Sequence, residues 1–167
     1  MKDMTRANLQ AAFAGESQAH LRYTVFAEKA EREGLPNIAR LFRAASLSER
    51  IHATNHLRAL GGIGDVVKNL ETALNGENFE IAEMYPAYIE VATAQEETGA
   101  RRSMDQALSA EKVHSRLYER AKEAAAAGKD AELGALYVCE ACGFTMEGEA
   151  PDRCPICGAP RSRFRQF

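Results

Sequence analysis

Ser48-Glu49-Arg50-Ile51-His52-Ala53-Thr54-Asn55-His56 is the stretch that decides how this chain folds. Glu49 and His52 are three residues apart, so on a helix they share one face. Along the same helix the apolar stripe runs Ile38, Leu41/Phe42, Ala45 and then Leu60, and Glu49, His52 and His56 fall inside it. The pattern returns at Glu111-Lys112-Val113-His114, where Met104, Ala107/Leu108 and Leu117/Tyr118 form the stripe. A further stripe, Leu9, Ala12/Phe13, Tyr23 and Phe26, passes through Glu16. Ionisable side chains thus stand where core residues belong. A lone buried carboxylate costs several kcal/mol, and several converging ones repel. Cations among them remove both penalties, and paired Glu-x-x-His helices are how a helix bundle holds two metal ions.

The helical punctuation agrees. A first helix is predicted from Thr5 to Glu33, stopped by Gly34. A second starts at Pro36, which suits a first turn, and ends at Leu60 before Gly61-Gly62. Residues 61–76 read as a connection, with Asp65 capping a short helix that ends at Gly76. A third long helix follows from Glu77 to Glu97, with Pro86 expected to kink it or remove one backbone bond. Gly99 is expected to break it, and the fourth helix runs to Ala127 before Gly128. Four long helices with a longer crossover in the middle make a mainly α, ferritin-like four-helix bundle over residues 1–134.

Each half of that bundle supplies one carboxylate helix and one Glu-x-x-His helix: Glu16 with Glu49 and His52, then Glu80 and Glu83 with Glu111 and His114. Glu90 shares the third helix's face and reads as a decoy. His56 reads as support for a ligand or as a satisfied core histidine, and His20, one turn from Glu16, as supporting or structural. Tyr23 reads as core, with a hydroxyl able to bond a ligand carboxylate. This carboxylate-rich donor set suits iron or manganese better than zinc.

Residues 135–167 have a different composition, rich in Cys, Pro, Gly and aromatics. All four cysteines lie here, as Cys139-x-x-Cys142-Gly143 and Cys154-x-x-Cys157-Gly158. Two tight pairs in a chain with no other cysteine read as a tetrathiolate metal site rather than a disulfide framework. The glycines let each knuckle turn so that backbone N–H groups meet the sulfurs. Spacing leaves iron and zinc both open. Tyr137, Phe144, Ile156 and Phe164 would form the small core, with the metal holding it together.

The 167 residues carry a net charge of -3 with no basic run, which argues against nucleic-acid binding. No apolar stretch reaches the roughly 18 residues of a membrane span, and Met1–Gln10 has no apolar h-region. The expectation is a cytoplasmic protein.

Taken together, "AFAGESQAHLRY", "SERIHATNH", "FEIAEMYP", "SAEKVHSRLYERA" and "YVCEACG…CPICGAP" closely resemble the rubrerythrin family over essentially the whole chain. The resemblance implies a diiron bundle followed by a rubredoxin-like domain with one tetracysteine iron. It implies reduction of hydrogen peroxide to water as protection against oxidative stress. Electrons would enter through the tetracysteine iron from a separate reductase or rubredoxin fed by NADH. Glu49 and Glu111 would bridge the irons, Glu16 would be terminal on one, and Glu80 with His114 would complete the other. Glu83 in the oxidised state and His52 in the reduced state would exchange on the first iron, with Tyr23 beside it. A ferroxidase, an oxygen reductase or an iron-binding protein on the same site is the alternative. Because the tail is small, the gap to the diiron site within one subunit is expected to be too long for fast electron transfer. A homodimer is therefore expected, with one tail docking near the other chain's bundle. Some compact members of the family exchange helices between subunits, so a domain-swapped dimer is one form the resemblance allows.

Overall fold

The computed structural model describes all 167 residues. They form two compact units, Met1–Gly64 and Asp65–Phe167.

The first unit is a helical hairpin of α1 (Asp3–Arg32) and α2 (Pro36–Ala59). The turn between them closes on Gly34, at φ 75°, where the Leu35 N–H reaches back to the Ala30 carbonyl at 2.9 Å. Positive φ is open to glycine without steric penalty, so the predicted stop holds. Small residues line the seam: Ala27, Ala30, Ala39 and Ala53 are buried, which lets the helices approach closely. Buried Ser46 crosses the seam. Its hydroxyl donates to the His20 carbonyl at 2.9 Å and lies 2.8 Å from His20 Nδ1 and 2.9 Å from the Thr24 hydroxyl. Removing that hydroxyl would strand buried polar groups, at a cost of about 1–3 kcal/mol. Tyr23, Phe26 and Phe42 make an aromatic cluster with ring centroids 5.5–6.4 Å apart.

The second unit opens where Asp65 caps α3 (Val66–Phe79), accepting the Lys68 N–H at 2.8 Å. Gly76 does not end this helix. The chain continues through a π-helical turn at Glu80–Met84 into α4 (Tyr85–Ala94), so the expected connecting helix and third helix are one run. Pro86 explains the π-turn. It has no N–H to offer Ala82, and its ring crowds that carbonyl. The wider turn absorbs this, and the Tyr85 N–H bonds the Glu80 carbonyl, five residues back. The break before α5 (Thr98–Ala126) falls at Glu96, at φ 59°, and Gly99 lies inside α5.

The tail forms a three-stranded antiparallel sheet, β1 (Leu136–Cys139), β2 (Thr145–Glu147) and β3 (Phe164–Gln166), in the order β2-β1-β3. Within this unit Arg120 of α5 binds the Glu147 carboxylate at 2.6 Å and the Glu132 carbonyl at 2.8 Å, while Glu147 also accepts the Gly134 N–H at 2.7 Å. That clamp seats β2 on α5. No helix is long and apolar enough to cross a membrane.

Candidate metal centres

In the first unit Glu16, Glu49 and His52 bring one donor atom each to within 4.8 Å of one another. Glu16 comes from the middle of α1, and the other two from successive turns of α2. His52 Nδ1 lies 2.9 Å from Glu49 Oε2. Its other nitrogen has only Ser48 Oγ at 3.5 Å, and the side chain is 51% exposed. Tyr23 stands in the aromatic cluster, His20 is held by Ser46, and His56 joins no donor group.

In the second unit the donor group is Glu77, Glu111 and His114. His114 Nδ1 lies 2.7 Å from Glu111 Oε2 and 3.7 Å from Glu77 Oε1. Burial, a hydrogen bond to Glu111 and that group's charge push the Glu77 carboxyl up to about 8. Burial and the charge of Glu111 also raise Glu80, and burial with the charges of Glu80, Glu111 and Glu77 raises Tyr85. Glu77 Oε2 is buried with no hydrogen-bond partner. Buried polar atoms almost always find partners. A buried orphan oxygen beside a second carboxylate and an imidazole is a donor set that a cation would complete.

The donor group of the second unit therefore takes its α3 carboxylate from Glu77. The sequence singles out Glu80 and Glu83. Glu77 joins the cluster instead, Glu80 lies in the field of Glu111, and Glu83 is exposed and outside it. Helix α3 carries on past Gly76, which puts Glu77 in a regular turn. Glu83 lies inside the π-turn itself, whose wider spacing turns it away from the direction an unbroken helix would give it. Glu90 is also exposed.

The cysteines behave as expected. All four are free thiols whose sulfurs lie within 4.8 Å of one another. Cys139–Cys157 and Cys142–Cys154 are each 3.7 Å apart at sulfur. A tetrahedron of metal–sulfur bonds near 2.3 Å has edges of about 3.8 Å, so the cluster has the size of a tetrathiolate cage. Gly143 and Gly158 turn at φ 80° and 76°. Backbone N–H groups reach the sulfurs from Phe144 to Cys142 and from Ala159 to Cys157. The Ala159 N–H lowers Cys157 to about 7, while burial raises Cys139 and Cys142.

One contact joins the tail to the helices within the second unit. The Thr145 hydroxyl, on β2, lies 2.7 Å from His114 Nε2. Through the Arg120–Glu147 clamp, the cysteine-bearing tail rests on a candidate ligand of its own chain.

The chain is similar to known proteins over both its helical part and its tail. A family model described as Rubrerythrin matches residues 7–122, and one described as Rubrerythrin, rubredoxin-like domain matches residues 137–165. Rubrerythrin-2 of Clostridium acetobutylicum is 42% identical, covering 98% of this chain and 97% of its own length. Nigerythrin of Nitratidesulfovibrio vulgaris is 33% identical over 98% of this chain and 86% of its own. Solved structures of nigerythrin in its partially reduced and its fully reduced, all-ferrous states match with a TM-score of 0.56 at 32% identity, each covering 98% of this chain and 86% of the solved one.

Proposed function

The chain belongs to the rubrerythrin family, and from that premise we propose that it is a diiron peroxidase, reducing hydrogen peroxide to water with electrons relayed through its tetracysteine iron. The observation that carries this reading is the Thr145–His114 contact, which ties an electron-carrying type of site to a ligand of the other type. Two ions, one drawn to Glu16, Glu49 and His52 of the first unit and one to Glu77, Glu80, Glu111 and His114 of the second, would supply the two electrons that peroxide reduction requires. In this ligand set Glu77 takes the place that the sequence gives to Glu80. Glu49 and Glu111, each paired with a histidine one turn on, would each hold an ion together with that histidine. His52, exposed and loosely held, is the residue suited to come and go as a ligand when its ion changes charge. A neutral imidazole can replace an anionic carboxylate once the metal charge falls.

Electrons enter from a separate reductase or rubredoxin, ultimately from NADH. Cys157, half-buried while Cys139 and Cys154 are buried, gives such a donor an approach. The bundle and the tail, residues 1–134 and 135–167, act as reaction and relay modules. The protein works as a homodimer in the cytoplasm. Support for association comes from the first unit, where Leu21 and Leu41 are 64% and 67% exposed. Large apolar side chains left in water favour a covering partner. Helix exchange is one way to supply it.

The test is anaerobic. The iron-loaded protein is reduced fully and given one equivalent of hydrogen peroxide per dinuclear site, with visible absorption followed and metal content measured alongside. Rapid return of the red ferric tetrathiolate bands is the expected result. Full iron loading with no reoxidation by peroxide, but reoxidation by oxygen, would replace this reading with an oxygen reductase or ferroxidase.

A further inference from the structure

We propose that Thr145 is a positioning residue for His114: its hydroxyl decides which ring nitrogen carries the proton and so aims the other at the cation held with Glu77 and Glu111. A neutral imidazole has one N–H donor and one bare nitrogen. In His114 the Nδ1 side faces the two carboxylates, at 2.7 Å from Glu111 and 3.7 Å from Glu77, and the Nε2 side faces Thr145 at 2.7 Å. The Thr145 hydroxyl has one proton, and a second neighbour claims it: the Gly143 carbonyl, 3.3 Å from the same oxygen. Once Thr145 donates there, it receives the N–H of Nε2, and Nδ1 is left bare toward the carboxylates.

Thr145 is 6% exposed, and its hydroxyl is the group placed against Nε2. Its backbone is fixed twice, by pairing with Val138 of β1 and by the Arg120–Glu147 clamp two residues on. A metal-bound histidine ordinarily gives its outer N–H to a carboxylate, a carbonyl or water, and losing that partner weakens metal binding about 10–100-fold. Here the hydroxyl passes the interaction to the carbonyl of Gly143, the residue after Cys142. Seating of the tail and aim of a ligand in the helices are therefore one event. Nothing in the rubrerythrin reading requires a hydroxyl at this place.

The inference rests on His114 being a metal ligand, and not on peroxide being the substrate. The full-length protein, with its tetracysteine site loaded, is titrated anaerobically with ferrous iron, comparing wild type, Thr145→Val and Thr145→Ser. Valine keeps the shape and removes the hydroxyl, whereas serine keeps the hydroxyl. Ferrous binding at the carboxylate–histidine site should weaken by about 10-fold or more in Thr145→Val and return to within about 3-fold of wild type in Thr145→Ser, with the tetrathiolate bands alike in all three. Equal binding by wild type and Thr145→Val overturns the inference and leaves the metal centre standing. Equally weak binding by Thr145→Val and Thr145→Ser overturns it too, because packing and not the hydroxyl would then matter. A wild type that binds no ferrous iron there overturns the metal-centre reading and this inference with it.

Discussion

His52 and His114 sit at the same place in the same motif, three residues after a glutamate on a helix, yet the two halves of the molecule treat them differently. His114 is held from both sides, by Glu111 and by a buried threonine hydroxyl. His52 is held only by Glu49, with its outer nitrogen at 3.5 Å from Ser48 and half of its side chain in water. Sequence spacing sets which residues converge, whereas the outer partner sets how firmly each is aimed. A tightly aimed imidazole suits a permanent ligand and a loose one suits a ligand that comes and goes, the roles proposed above for His114 and His52.

The sharpest way to break this contrast is to remove each histidine in turn. His114→Ala should lower ferrous affinity by about 100-fold or more, beyond the range for losing only an outer partner. His52→Ala should leave metal loading of the oxidised protein within about 10-fold of wild type while peroxide turnover falls further than that. Metal analysis beside steady-state rates separates the two, and equal loss of metal in both variants would erase the distinction between held and loose.

Next in size are the two glutamates of the π-turn, Glu80 and Glu83. Glu80→Ala should reduce peroxide turnover about 10-fold or more, and Glu83→Ala, at an exposed position outside the cluster, less than about 3-fold. The reverse order would mean that the π-turn does not govern which glutamate faces the metals, and it would restore the ligand set expected from an unbroken helix.

A third experiment concerns the second half stripped of metal. Glu77 sits at about 8 in the folded chain, above its ordinary value of 4.5. Between those two values the folded protein keeps a proton that the unfolded chain releases. The folded state then binds more protons, so stability falls as pH rises. Chelator-treated protein should show a urea midpoint that declines from about pH 5 to about pH 8. Glu77→Gln should flatten that decline. A profile that rises over the same range would remove burial as the dominant influence on this carboxyl.

These tests also mark where the sequence is readable. Glu49/His52 and Glu111/His114 can be found because each pair repeats at helical spacing inside an unbroken apolar stripe, and the four cysteines because their spacing has few other uses. Glu77 escapes because it follows Gly76, which reads locally as a helix stop, while tertiary packing carries the helix through. Glu83 misleads because Pro86 announces a disturbance but not its form: a kink, a lost bond and a π-turn all satisfy a missing N–H, and only the last widens the turn that carries Glu83. Thr145 carries no signal at all. It lies outside the Cys-x-x-Cys knuckle and reaches His114 only once Arg120 and Glu147 have paired across the linker.

The smallest expected effect compares how the two halves turn between helices. The first half uses Gly34 at φ 75°, and the second uses Glu96 at φ 59° in the same role. In each turn the next N–H reaches back five residues, from Leu35 to Ala30 and from Glu97 to Ala92, both at 2.9 Å. A side chain in the left-handed region costs about 1–2 kcal/mol, and glycine returns about 0.5–1 kcal/mol of that through its freer unfolded state. Glu96→Gly should therefore stabilise the protein by about 0.5 kcal/mol, and Gly34→Ala should destabilise it by about 1 kcal/mol. Both should appear as shifts in urea midpoint with unchanged slope. A Glu96→Gly variant weaker than wild type would show that the Glu96 side chain contributes more than its backbone strain takes away, making this turn, unlike the first, one that depends on what its residue touches.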